Sequence, residues 1–206
     1  MTLSPNVRML DSARGSNVYL LTTNDGYTLI DTGYAHHQKA IFEELEEIQI
    51  SKILITHHDI DHIGNMSALQ KKYSCPVYVN TLELPYIYGE KRRSGLKGIV
   101  DRFVKTDVSA MLSPLEDATF SDITVIHTPG HTPGHSCFLF QDFLFTGDLF
   151  RLPRLRLKPS RKRMNWDTDE LKESIRKTIE LPFAWVCPAH FMPAKWEDVQ
   201  VDKLQK

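Results

Sequence analysis

The sequence has no uninterrupted apolar run of about 18 residues, which is the length that a helix needs to cross a bilayer. Its first residues lack the basic and apolar regions of a secretory signal peptide. Cysteine is scarce, because three occur in 206 residues, and these are odd in number and far apart. The pattern argues against a disulfide framework, and we expect small buried thiols, no membrane span and a reducing, cytoplasmic location.

An excess of charge of one sign is also lacking. The chain has 25 basic and 26 acidic residues, which give a formal net charge of −1. No overall field therefore favours nucleic acid or a membrane surface as a partner. The length suits one domain with a sizeable core over residues 1–206, and it leaves the oligomeric state open.

The densest group of metal-binding side chains follows a short apolar run. Residues 52–55 predict a buried strand, and residues 56–62, Thr-His-His-Asp-Ile-Asp-His, would form the loop at its end. In a locally extended loop, His57 and Asp59 point the same way. Imidazole with carboxylate suits zinc, iron or manganese better than calcium or magnesium. A solvated turn is the alternative, since Asp favours turns, but further candidate ligands occur later in the chain.

Three later motifs repeat the plan of an apolar run, a turn signal and a polar residue. His131 and His135 lie in a Thr-Pro-Gly-His-Thr-Pro-Gly-His stretch. Asp148 ends a Thr-Gly-Asp turn, and His190 follows Cys-Pro-Ala. Together with the first loop, they offer enough ligands for more than one metal ion.

This ordered set resembles the metallo-β-lactamase-fold hydrolases. Their pattern is an early Asp-x-Gly turn, His-x-His-x-Asp-His, a Pro-Gly-His turn, a Gly-Asp pair and a late His. The similarity extends from about residue 16 to residue 190. The matching residues are Asp31, His57, Asp61, His62, His131, Asp148 and His190.

The resemblance implies an α/β fold, namely a four-layer αββα sandwich, whereas spacing alone indicates only an α/β chain. It also implies two divalent metal ions, with zinc the most expected, and hydrolysis by a metal-bridging hydroxide. Asp61 would have a catalytic part as the ligand that positions this hydroxide, and Asp31 and His135 would hold the ligands by hydrogen bonds. The first metal site would consist of His57, Asp59 and His131. The second would consist of Asp61, His62 and His190, and Asp148 would bridge the two.

One position departs from the family pattern. The second His of the motif is replaced by Asp59, and the neighbouring His58 has the opposite strand parity. A carboxylate here resembles the flavin-linked diiron branch of the family, which carries Glu at this position. It adds negative charge and hardens the site, so that iron or manganese competes with zinc.

Apolar periodicity and turn residues predict the elements around these motifs. Asp25-Gly26 between two apolar runs predicts a hairpin, and Asp167 would cap a helix with Leu171 and Ile175 facing inward. The predicted strands are 18–21, 27–30, 52–55, 76–79, 123–126, 137–140, 143–145 and 185–187. The other predicted helices are 36–48, 66–73 and pieces of 82–104.

Residues 151–163 hold seven basic residues and no acid. They would form either a solvated loop or a rim of the site that attracts anionic substrates, through Arg151, Arg154 and Arg156. Nucleic-acid binding is disfavoured, because aromatic residues do not interleave with the basic ones.

Three functions fit the motifs. The leading one is a binuclear hydrolase of a small ester, thioester or lactone, because every ligand position holds a competent residue. An iron-dependent dioxygenase or diiron redox enzyme of the same fold is the alternative, and Asp59 is its support. A member that interacts with nucleic acid or cleaves phosphodiesters is the least favoured, since the long extra domain of such members is missing.

Overall fold

The first half of the chain forms a mixed seven-stranded sheet in the computed structural model, which describes residues 1–93 and 109–201. The strands are β1 (Thr2–Ser4), β2 (Val7–Met9), β3 (Tyr19–Thr23), β4 (Gly26–Ile30), β5 (Ile50–Leu54), β6 (Val77–Val79) and β7 (Leu112–Pro114). They lie side by side in chain order. The first four pair antiparallel, and β4 to β7 pair parallel. The predicted hairpin and the predicted crossover between β5 and β6 are thus confirmed.

The second half forms a five-stranded sheet. Its strands are β8 (Ile123–His127), β9 (Ser136–Phe140), β10 (Phe143–Gly147), β13 (Trp185–Pro188) and β14 (Ala194–Lys195). The order across the sheet is β14, β13, β10, β9, β8. Strand β10 runs parallel to β13, and the other neighbours are antiparallel. A separate two-stranded ribbon joins β11 (Phe150–Arg151) to β12 (Lys158–Pro159).

Five α-helices and five short 3₁₀ turns occur in the described part of the chain. The helices are α1 (Gln38–Glu44), α2 (Ile60–Ile63), α3 (Met66–Tyr73), α4 (Leu84–Ile87) and α5 (Thr168–Thr178). The 3₁₀ turns are Ala35–His37, Thr81–Glu83, Pro153–Leu155, Lys162–Met164 and Trp196–Asp198. Residues 94–104 of the predicted helical stretch lie outside the described residues.

Three apolar clusters lie between four layers. Alternate residues of the strands face opposite sides, so Leu20 packs with α1 and α3 on the outer side of the first sheet. Leu21 packs against Phe138 and other aromatic residues between the two sheets. On the far side of the second sheet, Leu171 packs with the residues that cover that face. The layers are therefore helix, sheet, sheet and helix, and the αββα sandwich is confirmed.

The predicted helix 36–48 is wrong in its extent. The α-helix α1 ends at Glu44, and a 3₁₀ turn precedes it. Four glutamates lie among residues 43–47, and no basic residue lies in the last turn. Negative charge at a helix C-terminus opposes the helix macrodipole, so the sequence that looks periodic there does not continue as a helix.

Helix α5 begins as predicted. Asp167 accepts hydrogen bonds from the backbone N–H groups of Asp169 at 2.8 Å and Glu170 at 3.0 Å. No helix within residues 1–93 or 109–201 is both long and apolar enough to cross a bilayer. The three cysteines are buried and free. A single domain over residues 1–206 stays a prediction.

Gly130 lets the loop that carries His131 lie against α5, and replacing this glycine tests that contact. It has a φ of +130°, and an added Cβ would lie 2.2 Å from the backbone nitrogen of Leu171. We expect Gly130→Ala to lower the free energy of unfolding by about 3–5 kcal/mol, because a backbone clash adds to the strain. Chemical denaturation measures this change.

Gly89 is the matched control, since its φ is +73° and an added Cβ would meet nothing within 4 Å. Gly89→Ala should cost only about 1–2 kcal/mol. Equal losses for the two variants would contradict the close approach of the loop to α5.

Candidate metal centre

The candidate ligands lie in four loops that follow strands of the two sheets. Residues 56–62 follow β5, with Asp59 at the N-cap of α2 and both Asp61 and His62 within that helix. The other loops follow β8, β10 and β13, and they carry His131, Asp148 and His190. Because these strands end at the same side of the sandwich, their loops converge on one place.

The first group consists of His57, Asp59, His131 and Asp148. Oδ2 of Asp59 lies 3.2 Å from Nε2 of His57 and 3.1 Å from Nε2 of His131. Oδ2 of Asp148 lies 3.4 Å from Nε2 of His131. Two imidazoles and two carboxylates therefore face one point.

The second group consists of Asp61, His62 and His190. Nε2 of His190 lies 3.4 Å from Oδ2 of Asp61 and 3.2 Å from Oδ1 of Asp148. Nε2 of His62 lies 3.6 Å from Oδ2 of Asp61 and 3.9 Å from Oδ1 of Asp148. Asp148 thus presents Oδ2 to the first group and Oδ1 to the second.

All four imidazoles of these groups direct Nε2 inward because an oxygen atom meets Nδ1 from behind. His62 contacts the Asp31 carboxylate at 2.7 Å, and His190 donates to the Gly15 carbonyl at 2.7 Å. The contacts for the other two are Thr56 Oγ1 with His57 at 3.0 Å and Ser160 Oγ with His131 at 3.1 Å.

The donor atoms fit a divalent cation. Within the described residues, Nε2 of His62 is buried and has no hydrogen-bond partner, and the carboxylate oxygens of Asp61 and Asp148 lie 3.6 and 3.9 Å from it. Buried polar atoms rarely remain unpaired, and imidazole nitrogen with carboxylate oxygen is a donor set that zinc, iron and manganese accept. The seven residues that we predicted as ligands are the seven that lie together here.

Strong mutual interactions perturb the acid–base properties of this group. Burial opposes the protonation of His62, but Asp31 and Asp61 raise the pKa of that imidazole to about 10. Burial would raise the pKa of Asp148, yet contacts with His190 and His131 hold it well below its ordinary value. The site therefore concentrates opposite charges where water has little access.

The two predicted supporting residues contact the ligand loops. Asp31 accepts a hydrogen bond from the backbone N–H of Thr56 at 2.8 Å, besides its contact with His62. His135 accepts one from the backbone N–H of Asp148 at 3.2 Å. An added Cβ at Gly147, whose φ is +46°, would lie 2.7 Å from Nε2 of His135, so glycine is needed at this contact.

A buried carboxylate that the sequence reasoning missed joins two ligand loops. Glu83 accepts hydrogen bonds from the backbone N–H groups of His58 at 2.8 Å and Gly134 at 2.6 Å, and it contacts Nδ1 of His58. His58 stacks on Tyr86 with ring centroids 4.6 Å apart, so it points away from the candidate ligands. Burial would raise the pKa of Glu83, but the hydrogen bonds from His58 lower it. A lone Glu in a stretch predicted as helical gives no signal of this role.

Arg93 is a second residue that the sequence reasoning missed. Its Nη1 lies 2.7 Å from Oδ1 of Asp59, and its Nη2 donates to the backbone carbonyl of His131 at 2.6 Å and to that of Met164. The basic run at residues 91–93 was visible in the sequence, but its spacing does not indicate a partner.

The three arginines of the predicted basic rim differ in their exposure. Arg151 is half-buried, and burial and Arg161 lower the pKa of its guanidinium while Asp148 opposes that shift. Arg154 and Arg156 are exposed, and Arg156 lies in a bridge opposite Gln200. A role of the three arginines in substrate attraction stays a prediction.

Comparison with known families identifies the class of protein. The model of the metallo-beta-lactamase superfamily matches residues 11–190, so the chain belongs to this superfamily. YybB of Bacillus subtilis, a probable metallo-hydrolase, is 27% identical over 84% of this chain and 80% of its own. A hydroxyacylglutathione hydrolase of Shewanella loihica is 35% identical over 64% of this chain and 46% of its own. The chain therefore spans less than half of that relative's length.

Solved structures support the same assignment. TTHA1623, solved in a di-iron-bound form, has a TM-score of 0.72 and 28% identity, and the match covers 92% of this chain and 93% of that chain. BLEG-1, a B3 metallo-beta-lactamase, has a TM-score of 0.71 and 26% identity over 93% and 95%. Superfamily, relatives and ligand geometry together identify a metal-dependent hydrolase.

Glu83→Gln tests the carboxylate that joins the two ligand loops. The amide would turn an N–H₂ group toward donors that now meet a buried oxygen, so we expect a loss of about 2–4 kcal/mol in the free energy of unfolding. Glu116→Gln is the matched control, because Glu116 also accepts from a backbone N–H, that of Thr81 at 3.0 Å, but the contact is exposed. The control should change stability by less than about 1 kcal/mol. A comparable loss in both variants would argue against a special role of Glu83.

Proposed function

We propose that this chain is a binuclear metal-dependent hydrolase that acts on a small ester, thioester or lactone. The observation that carries the proposal is the placement of Asp148, which offers one oxygen to each of two ligand groups. Divalent cations held there would supply Lewis acidity and an activated water, which is the chemistry that acyl hydrolysis requires.

The proposed ligands divide into two sets around that carboxylate. His57, Asp59 and His131 would hold the first cation, and Asp61, His62 and His190 the second. Zinc is the first choice for both, with iron or manganese as competitors because of Asp59. Asp61, which lies between the two imidazoles of its set, would also orient the attacking water by hydrogen bonding.

The protein's own groups would fix geometry rather than attack the substrate. Asp31, Thr56 and Ser160 keep the imidazoles in place from behind, and His135 holds the backbone of Asp148. Each contact limits the rotation of a ligand, so the site would be assembled before the substrate arrives.

A thioester or ester substrate is the preferred class. Hydroxyacylglutathione hydrolases are among the relatives at about one third identity, and their name denotes acyl-transfer chemistry to water. Arg151 is half-buried and interacts electrostatically with Asp148, and its positive charge would favour an anionic substrate. Nucleic acid and membrane are not proposed as partners.

A redox enzyme of the same fold is the second candidate. The observations that favour it are the carboxylate at Asp59 and the di-iron-bound form of TTHA1623. Oxygen consumption by the iron-loaded protein would support this candidate over the hydrolase.

We also propose that residues 1–206 form one domain and that the protein works in a reducing compartment, the cytoplasm. The support for the compartment is that Cys75, Cys137 and Cys187 are all free and buried.

Metal stoichiometry tests the two-cation proposal. We expect elemental analysis to find two metal ions per chain in the wild type and one in His190→Ala, which removes a ligand of the second set. The rate at which His190→Ala hydrolyses an acyl thioester should be at least about a hundredfold below that of the wild type, because Lewis acidity and an activated water come from the pair of ions. His36→Ala is the control, because His36 is exposed and outside both groups. A His190→Ala protein that retains both ions would contradict the second set.

Substrate charge tests the arginines. Replacing Arg151, or Arg154 and Arg156 together, by Gln should raise KM for an anionic thioester, most for Arg151, and the effect should shrink as salt rises. A neutral ester with the same acyl group serves as the control substrate, and its KM should stay within about twofold. Unchanged KM for the anionic substrate at low ionic strength would assign residues 151–163 to plain solvated surface.

A further inference from the structure

The departure from the family pattern at Asp59 has a partner in space. The side chains of Asp59 and Arg93 are 7% and 6% exposed, and their closest atoms, Oδ1 and Nη1, are 2.7 Å apart. A buried carboxylate and a buried guanidinium at this distance form a charge-assisted pair, and the loss of either partner would leave an uncompensated charge.

The guanidinium is held at both ends. While Nη1 contacts Asp59, Nη2 donates to the backbone carbonyls of His131 and Met164. Arg93 therefore connects the first ligand loop to the loop that supplies the other histidine of the first set. Its position is fixed by three contacts, so it cannot simply turn toward solvent when Asp59 changes.

The two oxygens of Asp59 have different partners. Oδ1 faces Arg93, and Oδ2 faces Nε2 of His57 and Nε2 of His131. A carboxylate held in this way offers one oxygen to a cation, as an imidazole offers one nitrogen. Its negative charge is balanced by the guanidinium, so the pair as a whole is close to neutral.

We propose that Asp59 and Arg93 act as one unit that replaces the neutral imidazole of the family pattern, with Arg93 as the positioning residue for the first metal ion. This inference rests on the two-cation function proposed above. Its consequence is that the two positions are interdependent. Restoring His at position 59 alone would leave Arg93 as an unpaired, buried cation beside the metal ion.

A double-mutant cycle on metal binding tests the proposal. The proteins are the wild type, Asp59→His, Arg93→Met and Asp59→His combined with Arg93→Met. Metal content is measured after dialysis, affinity by competition with a chelator, and folding by circular dichroism and thermal melting. The matched control combines Asp59→His with Arg92→Met, which removes the same charge from the exposed neighbouring residue.

We expect Asp59→His to bind the first ion at least about tenfold more weakly than the wild type, because cation and cation repel at short range. Adding Arg93→Met should recover at least that factor, whereas adding Arg92→Met should not. If Arg93 had a merely structural role, adding Arg93→Met to Asp59→His would instead lower stability and metal content further.

Two outcomes would overturn the inference. One is an Asp59→His protein that keeps both ions at wild-type affinity, and the other is a double variant that binds no better than Asp59→His. If the double variant melts before metal can be measured, Asp59→His with Arg93→Gln takes its place, since Gln can still donate to the two carbonyls. A wild type with fewer than two ions would instead refute the two-cation function, so the failures of the two proposals are distinguishable.

Discussion

The structure depends on burying carboxylates and imidazoles together in one place. Three carboxylates and four imidazoles of the candidate centre are almost fully enclosed, apart from His190, which is 30% exposed on its side chain. Enclosing charged groups is costly unless each has a partner of opposite charge or a hydrogen-bond donor. The loops that surround the centre meet this requirement, because Asp31, Thr56, Ser160 and the Gly15 carbonyl each contact the outward nitrogen of one imidazole.

The fold serves this requirement by bringing loops from both sheets to the same edge at short distance. Close approach explains why small residues occur at fixed points: Gly130 lies against the backbone of α5, and Gly147 lies against His135. The apolar cluster between the sheets fixes the separation of the strands from which the loops emerge. Packing of the core therefore sets the geometry of the centre. A change in the spacing of the sheets would move Asp148 away from the ligands of residues 57–62, which belong to both groups.

Prediction from sequence worked where a residue's neighbours along the chain determine its place. Strand parity brought His57 and Asp59 together and excluded His58, and turn residues placed His131 and Asp148 after their strands. Prediction failed for Glu83 and Arg93. Their partners His58 and Asp59 lie 25 and 34 residues away along the chain, and no local pattern encodes such contacts. The C-terminal extent of α1 was missed for a different reason, since apolar periodicity ignores the charge that accumulates at the helix end.

The preference for a metal cannot follow from the ligand types alone, and Asp59 shows why. A carboxylate in place of an imidazole hardens the site and favours iron or manganese when its charge acts alone. Here Arg93 draws on the other oxygen of the same carboxylate, which reduces the charge that reaches a cation at Oδ2. The two effects oppose each other, so the pair has less influence on metal choice than Asp59 would have by itself. It follows that relatives with Asp at this position but no cation behind it should favour harder metals than this chain does.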